Sequence, residues 1–222
     1  MARIAILGGT GPEGMGLGIR FALAGERVAL GSRQRERAEQ AAAKLHEKLR
    51  AAGSPATIEA GENAEVAQAA EVVVLAFPFE GAEALLQALR PALSGKLVLD
   101  TLNPMELRDG LFRLLPVPAG SAGEQIQQWL PEAKVVAGFK NLSARELMDV
   151  KRKLHGDVLL CGNDAEATRF VADLVRRMPE LRPVDAGALA NSHHLESITT
   201  LLMNLNRRYK ALTSVQILGL HL

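Results

Sequence analysis

This sequence predicts an α/β fold of the Rossmann type, a doubly wound parallel sheet followed by a small mixed α/β, mainly helical C-terminal part. Three observations carry that expectation. Short apolar runs of β type alternate with segments whose apolar residues recur at helical spacing. The runs are apolar almost without interruption, as in strands covered on both faces of a parallel sheet. A glycine-rich turn leaves the first run and enters a helical pattern.

In chain order the strand-like runs are RIAIL at 3–7, RVALGS at 27–32, EVVVLAF at 71–77, KLVLDT at 96–101 and KVVAGF at 134–139. Helical spacing fills 35–53, 63–70 and 80–93, and a short strand near ATIEA, 56–60, follows the Gly53-Ser54-Pro55 stop. Residues 102–124 carry Pro104, Pro116, Pro118 and three glycines and read as a long irregular connection. Connections of that length are uncommon in compact domains unless functional or mobile. After Phe139 the pattern changes: DVLLCG and LRPVDAG read as two more short strands, with helices over 164–178 and 188–210. The expected division is a dinucleotide-binding domain at 1–140 and a small C-terminal domain at 141–222, with no flexible linker and no internal repeat.

At 222 residues the chain buries a sizeable core. With 26 Lys+Arg against 25 Asp+Glu its formal net charge is +1, so no strong field recruits nucleic acid or a membrane surface. Aromatic residues are only 4%, too few for the stacking platforms that hold single strands. Cys161 is the only cysteine, which excludes an internal disulfide. With no export signal after Met1-Ala2-Arg3, the expectation is a cytoplasmic protein. No run of about 18 apolar residues is present to span a bilayer. The histidines, His46, His155, His193, His194 and His221, show no zinc-site spacing with Cys161 or acidic residues, so no metal is expected.

Gly9-Thr10-Gly11-Pro12-Glu13-Gly14 is G-x-G-x-x-G in the strand-turn-helix setting of the dinucleotide fingerprint. Gly9 serves the tight turn, Gly11 lets the backbone approach a pyrophosphate, and Gly14 permits close packing of helix on sheet. Amides at the helix start then hold the anion. Pro12 suits the first helical turn, where no N–H is missed. A carboxylate at Glu13 would compete with phosphate for the same amides, so its side chain is expected to face solvent.

An NAD site places Asp or Glu about 20 residues beyond the glycines, where it accepts from the ribose hydroxyls. Here the second strand ends Leu30-Gly31-Ser32-Arg33, with Arg37 one helical turn on. A hydroxyl and two guanidinium groups in place of a carboxylate suit a 2′-phosphate, hence NADP(H). Arg35 reads as part of a solvated helix face.

Ligands in such sheets bind beyond the carboxyl ends of the strands. Phe77-Pro78-Phe79, Leu102-Asn103-Pro104 and Phe139-Lys140-Asn141-Leu142-Ser143-Ala144 therefore line the nicotinamide end, a largely apolar surface. Pro78-Phe79 is the better ligand candidate, since Phe77 also reads as core and Asn103-Pro104 as an ordinary turn. The only tyrosine, Tyr209, has Thr213 four residues on, which excludes the Tyr-x-x-x-Lys pair of short-chain dehydrogenases, and no G-x-S-x-G elbow occurs. A reaction that needs no acid or base from the protein is implied.

The segments GGTGPEGMG, GSR, AFPFEGA, DVLLCGNDAEA, LRPVDAGALANS and LESITTLLMNLNRRYK occur in this order. Through them the sequence resembles, over essentially its whole length, the NADPH-dependent coenzyme F420 reductases, also called F420H2:NADP oxidoreductases. The resemblance implies that nicotinamide and deazaflavin stack face to face and that a hydride passes directly between them. Proximity and orientation would then stand in for a catalytic residue. It also implies cofactor contacts at Thr10 to Glu13, Ser32, Arg33, Arg37, Phe79, Asn103 and Ala144. Phe79 takes a place that is often tryptophan in archaeal members, and Lys140 and His193 stand where histidine and arginine are frequent. These departures bear on the second substrate.

With Pro78 and Phe79, Leu142 is expected to form a dry slot over the nicotinamide. Lys140, Asn141 and Leu142 are expected to meet the small-molecule hydride acceptor, with Lys140 and Arg145 among the cations available to an acidic tail. An NADPH-dependent reductase of a flavin, quinone or metal complex and a non-catalytic NADPH-binding protein are the alternatives. The apolar residues Leu195, Ile198, Leu201, Leu202, Leu205, Leu212, Val215 and Ile217 predict a homodimer built on the C-terminal helices, burial within one subunit being the alternative.

Overall fold

A computed structural model describes residues 1–220. His221, one of the histidines weighed for a metal, lies outside the described residues. The chain begins β1 (Arg3–Leu7), α1 (Pro12–Leu23), β2 (Arg27–Ser32), α2 (Arg35–Ala51), β3 (Ile58–Glu62), α3 (Asn63–Ala69), β4 (Val72–Leu75), α4 (Ala82–Leu93) and β5 (Leu97–Asp100). A hairpin follows, β6 (Met105–Arg108) and β7 (Leu111–Leu114), then α5 (Ala122–Trp129), β8 (Lys134–Ala137), α6 (Ala144–Leu147), β9 (Gly156–Gly162), α7 (Ala165–Arg176), β10 (Leu181–Asp185) and α8 (Ser192–Tyr209).

Eight strands form one sheet in the order β10-β9-β8-β5-β4-β1-β2-β3. Every neighbouring pair is parallel except β8 with β9, where Val136 faces Gly162 and Ala137 faces Cys161 in antiparallel register. The expected boundary near residue 140 is therefore no break in the sheet. The C-terminal part adds two strands to the edge of the Rossmann unit, and only their reversed direction marks the change.

Alternation along the strands divides the core into two layers. Ile4, Ile6, Val28, Leu30, Val72 and Val74 pack with α1, α2 and α7 through Leu17, Phe21, Leu45 and Val171. Ala5, Leu7, Ala29, Val73, Leu75 and Val98 face α3, α4, α5 and α8 through Val66, Leu86, Ile126 and Leu195. Successive residues of a strand point to opposite faces, so a strand apolar at every position needs helices on both sides.

The stretch 102–124 is not wholly irregular, because it holds the β6–β7 hairpin. Asp109 (φ 52°) and Gly110 (φ 76°) supply the two left-handed residues that a tight hairpin turn needs. Asn204 of α8 pins the hairpin, accepting from Phe112 N–H at 2.8 Å and donating to Phe112 O at 2.9 Å. α5 also lies in this region unannounced by periodicity, being short. Its signal was the cap: Ser121 accepts from Glu124 N–H at 3.1 Å, the S-x-x-E pattern of a helix start.

Candidate functional site

The site begins where β1 ends. Gly8 turns the chain back with φ +72°, and a Cβ there would stand 2.6 Å from Ala76 O. A Cβ on Gly9 would meet Ile6 O at 2.9 Å, and one on Gly14 would meet Gly9 Cα at 2.7 Å. Gly9 and Gly14 thus serve packing of turn, strand and helix. Gly11 differs. It is the N-cap of α1, a Cβ on it would touch only Gly8 O at 3.5 Å, and it borders two cavities that meet at the carboxyl ends of β1 and β4. That is the switch point of the sheet, with β2 on one side of β1 and β4 on the other.

The smaller cavity, about 820 Å³, is bordered by Thr10, Ser32, Arg33, Arg37 and Asn63. Ser32 is buried with its Oγ 3.3 Å from Gln34 N–H, whereas Arg33 and Arg37 are exposed. Arg35 points elsewhere, to Glu65 at 2.5 Å. Asn63 Oδ1 is buried without a hydrogen-bond partner. The larger cavity, about 910 Å³, is bordered by Pro12, Glu13, Asn103, Asn141, Leu142 and Ala144 together with residues of the hairpin and α8. Gly11, Ala76, Phe77 and Pro78 belong to both and form the passage between them.

Two expectations about this passage need correction. Phe79 borders neither cavity; it stacks on Trp129 with ring centroids 5.8 Å apart, on the α5 side of the sheet. Phe77 occupies the wall instead, because the strand exit brings residues 77 and 78, not 79, to the cleft. Glu13 does not face open solvent. It is half-buried on the wall of the larger cavity, where burial pushes its carboxyl from the ordinary 4.5 up to about 8.

At neutral pH Glu13 is then largely protonated, so its carboxyl would donate a hydrogen bond to a phosphate brought beside it rather than compete with that phosphate. NADPH affinity is expected to fall as pH rises through about 8, well above the second ionisation of a phosphate monoester near 6. Glu13→Gln should flatten that dependence. Titrations of NADPH fluorescence between roughly pH 7 and 9.5 check it, and an unchanged slope in the variant removes the role. The sign for stability is the same: a carboxyl held above its unfolded value costs stability as pH rises from 4.5 towards 8.

Lys140 does border the larger cavity, and the third correction concerns only its ammonium. Its side chain is fully buried, its Nζ lying 2.7 Å from Asp100 Oδ2 and 3.3 Å from Glu196 Oε1 and donating to Leu102 O. The ammonium is therefore engaged inside the protein and does not meet an acidic tail. Glu196 in turn accepts from Ala122 N–H and Ser192 Oγ, each at 3.0 Å. Burial pushes the Glu196 carboxyl up, against the pull of the Lys140 ammonium. The cluster ties together the end of β5, the loop after β8, the start of α5 and α8. Phe139, at φ 59° and buried against Phe21 with centroids 5.5 Å apart, fixes the entry to this loop. A non-glycine residue held there stores strain of roughly 1–3 kcal/mol.

Asn103 donates to Thr101 O at 3.2 Å and Asn141 to Asp157 O at 2.8 Å, each leaving a buried amide oxygen without a partner. Ala144 opens α6, whose wall is held by a residue that sequence reasoning missed. Arg20, buried on α1, donates to the carbonyl oxygens of Glu146, Leu147, Asp149 and Arg152 at 2.5–3.1 Å. An arginine within the apolar face GIRFAL was the available signal. Among the described residues no group of three or more His, Cys, Asp or Glu is placed to hold a metal ion.

A glycine turn and a serine–arginine end opening into an apolar chamber, at the switch point of a Rossmann sheet, is the layout of a dinucleotide-dependent oxidoreductase. Comparison with known proteins narrows the class. The family model described as NADP oxidoreductase coenzyme F420-dependent matches residues 3–104. The F420-dependent NADP reductase of Methanocaldococcus jannaschii is 40% identical over 211 residues, 94% of each chain. That of Methanothermobacter marburgensis is 36% identical over 208 residues, 92% of each. A crystal structure from Arthrobacter sp. FB24, assigned as an F420-dependent NADP reductase, matches with a TM-score of 0.81 at 29% identity, covering 98% of this chain and 99% of that one. The chain belongs to the family of F420-dependent NADP reductases.

Proposed function

We propose that the protein transfers a hydride directly between NADP(H) and coenzyme F420. The observation that carries this reading is the pair of cavities joined at Gly11, Ala76, Phe77 and Pro78, one with a hydroxyl and two guanidinium groups at its far end, the other mainly apolar. The amides of Thr10 and Glu13 hold the pyrophosphate, Pro12 having no N–H and that of Gly11 being turned to Gly8 O, and Ser32, Arg33 and Arg37 hold the 2′-phosphate. The unpartnered Asn63 Oδ1 offers an acceptor to the adenosine end. Phe77, Pro78 and Leu142 exclude water at the junction, and Asn103 and Ala144 border the nicotinamide there. When bound, the two coenzymes supply the redox chemistry, one giving and one accepting the hydride. The protein supplies proximity, orientation and dryness.

Protein mixed with NADPH carrying a stereospecific deuterium on the nicotinamide is expected to bleach F420 and deliver the label to the reduced deazaflavin. No bleaching, with rapid reduction of free flavin or a quinone under the same conditions, would make another acceptor the substrate.

The working unit is a homodimer. Leu195 and Leu202 are buried within the chain, but Leu201 is 57% exposed, as are Leu107 (52%) and Leu111 (51%) of the hairpin packed on the same helix. Exposed apolar side chains of that size on the hairpin and on the helix it packs against mark an interaction surface. Sedimentation at micromolar concentration is expected to give twice the 23.8 kDa chain mass, and a monomer there sinks the claim. Among the described residues no helix is long and apolar enough to cross a membrane.

A further inference from the structure

Over residues 210–220 the chain is neither helix nor strand, yet it is closely held. Lys210 leaves α8 in a left-handed turn, φ 50°. Asn206 Oδ1 then accepts from both the amide and the hydroxyl of Thr213, at 2.7 and 2.8 Å. Two residues on, Val215 O accepts from Asp157 N–H at 2.7 Å, and Ile217 N–H donates to Asp157 Oδ2 at 2.6 Å. Arg182 grips the fully buried Asp157 carboxylate with bonds of 2.7 and 2.9 Å and donates to Ile217 O at 3.1 Å.

Gly156 makes room for this strap. Its φ is +137°, and a Cβ on it would meet Val215 O at 2.9 Å and Ser214 Cβ at 3.1 Å. The strap is also a wall: Leu212 and Thr213 border the larger cavity, as does Asn206. Asp157 does not itself border the cavity but is joined to it through Asn141, a lining residue whose Nδ2 donates to the Asp157 carbonyl oxygen. One buried residue thus ties an irregular segment to a cavity-lining amide on a different loop.

We propose that residues 211–217 form the acceptor-side wall of the larger cavity, with Asp157, held by Arg182, as the positioning residue that sets this wall and Asn141 relative to one another. The strap then determines which planar acceptor the cavity takes, and NADPH binding at the other end is independent of it. This rests on the reading of the larger cavity as the acceptor site.

Arg182→Met and Gly156→Ala loosen the strap from two directions. Each is expected to raise KM for F420 about tenfold, while kcat and the NADPH dissociation constant move less than about twofold. Amide exchange on the unmodified protein gives a second readout: the amides of Asp157, Thr213 and Ile217 should exchange about tenfold more slowly when F420 is added to the NADP⁺ complex. Folded variants with an unchanged KM overturn the proposal. If neither variant folds, exchange alone decides, and amides indifferent to F420 overturn it equally. Unmodified protein that binds NADPH but leaves F420 unreduced is a separate result, which overturns the reading of the cavity itself.

Discussion

Arg33→Ala is expected to weaken NADPH binding by one to two orders of magnitude while leaving NADH binding nearly unchanged. A charge-assisted hydrogen bond to phosphate is worth roughly 1.5–3 kcal/mol, and about 1.4 kcal/mol is a factor of ten. Arg33 is exposed beside the buried Ser32 at the end of β2, on the rim of the smaller cavity. Its guanidinium is free to form that bond, whereas Arg35 is drawn off to Glu65. Fluorescence titration with both nucleotides measures the two constants. Equal losses for NADPH and NADH would remove the 2′-phosphate role from this residue.

Lys140→Met is expected to cost about 3–5 kcal/mol of stability, the effect of stripping a buried carboxylate cluster of its cation. For a chain of this size that is a fall in Tm of roughly 10 °C. Lys140 Nζ contacts Asp100, Glu196 and Leu102 O, with both carboxylates essentially out of solvent. Adding Glu196→Gln to Lys140→Met should restore part of the loss by removing one unpaired charge. The pH dependence has a definite sign. Glu196 is already held above the ordinary carboxylate range, so the single variant is least stable at high pH and recovers as Glu196 protonates on acidification. Thermal melts from mildly acid to alkaline pH test both points. A loss below about 1 kcal/mol would mean that the cluster is structurally dispensable.

Much of the architecture was legible because it rests on local patterns. RIAIL and RVALGS form β1 and β2 over the residues read from the sequence, and every helix with strong periodicity is present. Strands apolar at each position and a G-x-G-x-x-G turn between strand and helix leave little freedom of interpretation. The order of Ser32 at the end of β2 and Arg33 and Arg37 just after it placed all three on one cavity, because a strand end and the first turn of the following helix are close in space whatever the rest of the chain does.

Sequence by itself determined the Rossmann unit, the position of the glycine turn and the serine–arginine group that borders the smaller cavity, since each depends on neighbours within a few positions. Only the tertiary structure decided the remainder. Pairing direction at β8–β9 is a long-range choice that residue pattern does not record. Phe77 rather than Phe79 reaches the passage because β4 ends at Leu75, so strand alternation no longer sets these side chains, and Trp129, distant in sequence, captures Phe79. Glu13 reads as a solvent-facing charge and Lys140 as a cation offered to an acidic tail until the fold surrounds them. A charge is cheap in water and costly in a protein interior, so beside the larger cavity the Glu13 carboxyl is held protonated at neutral pH, while the Lys140 ammonium is kept charged only within a buried ion cluster.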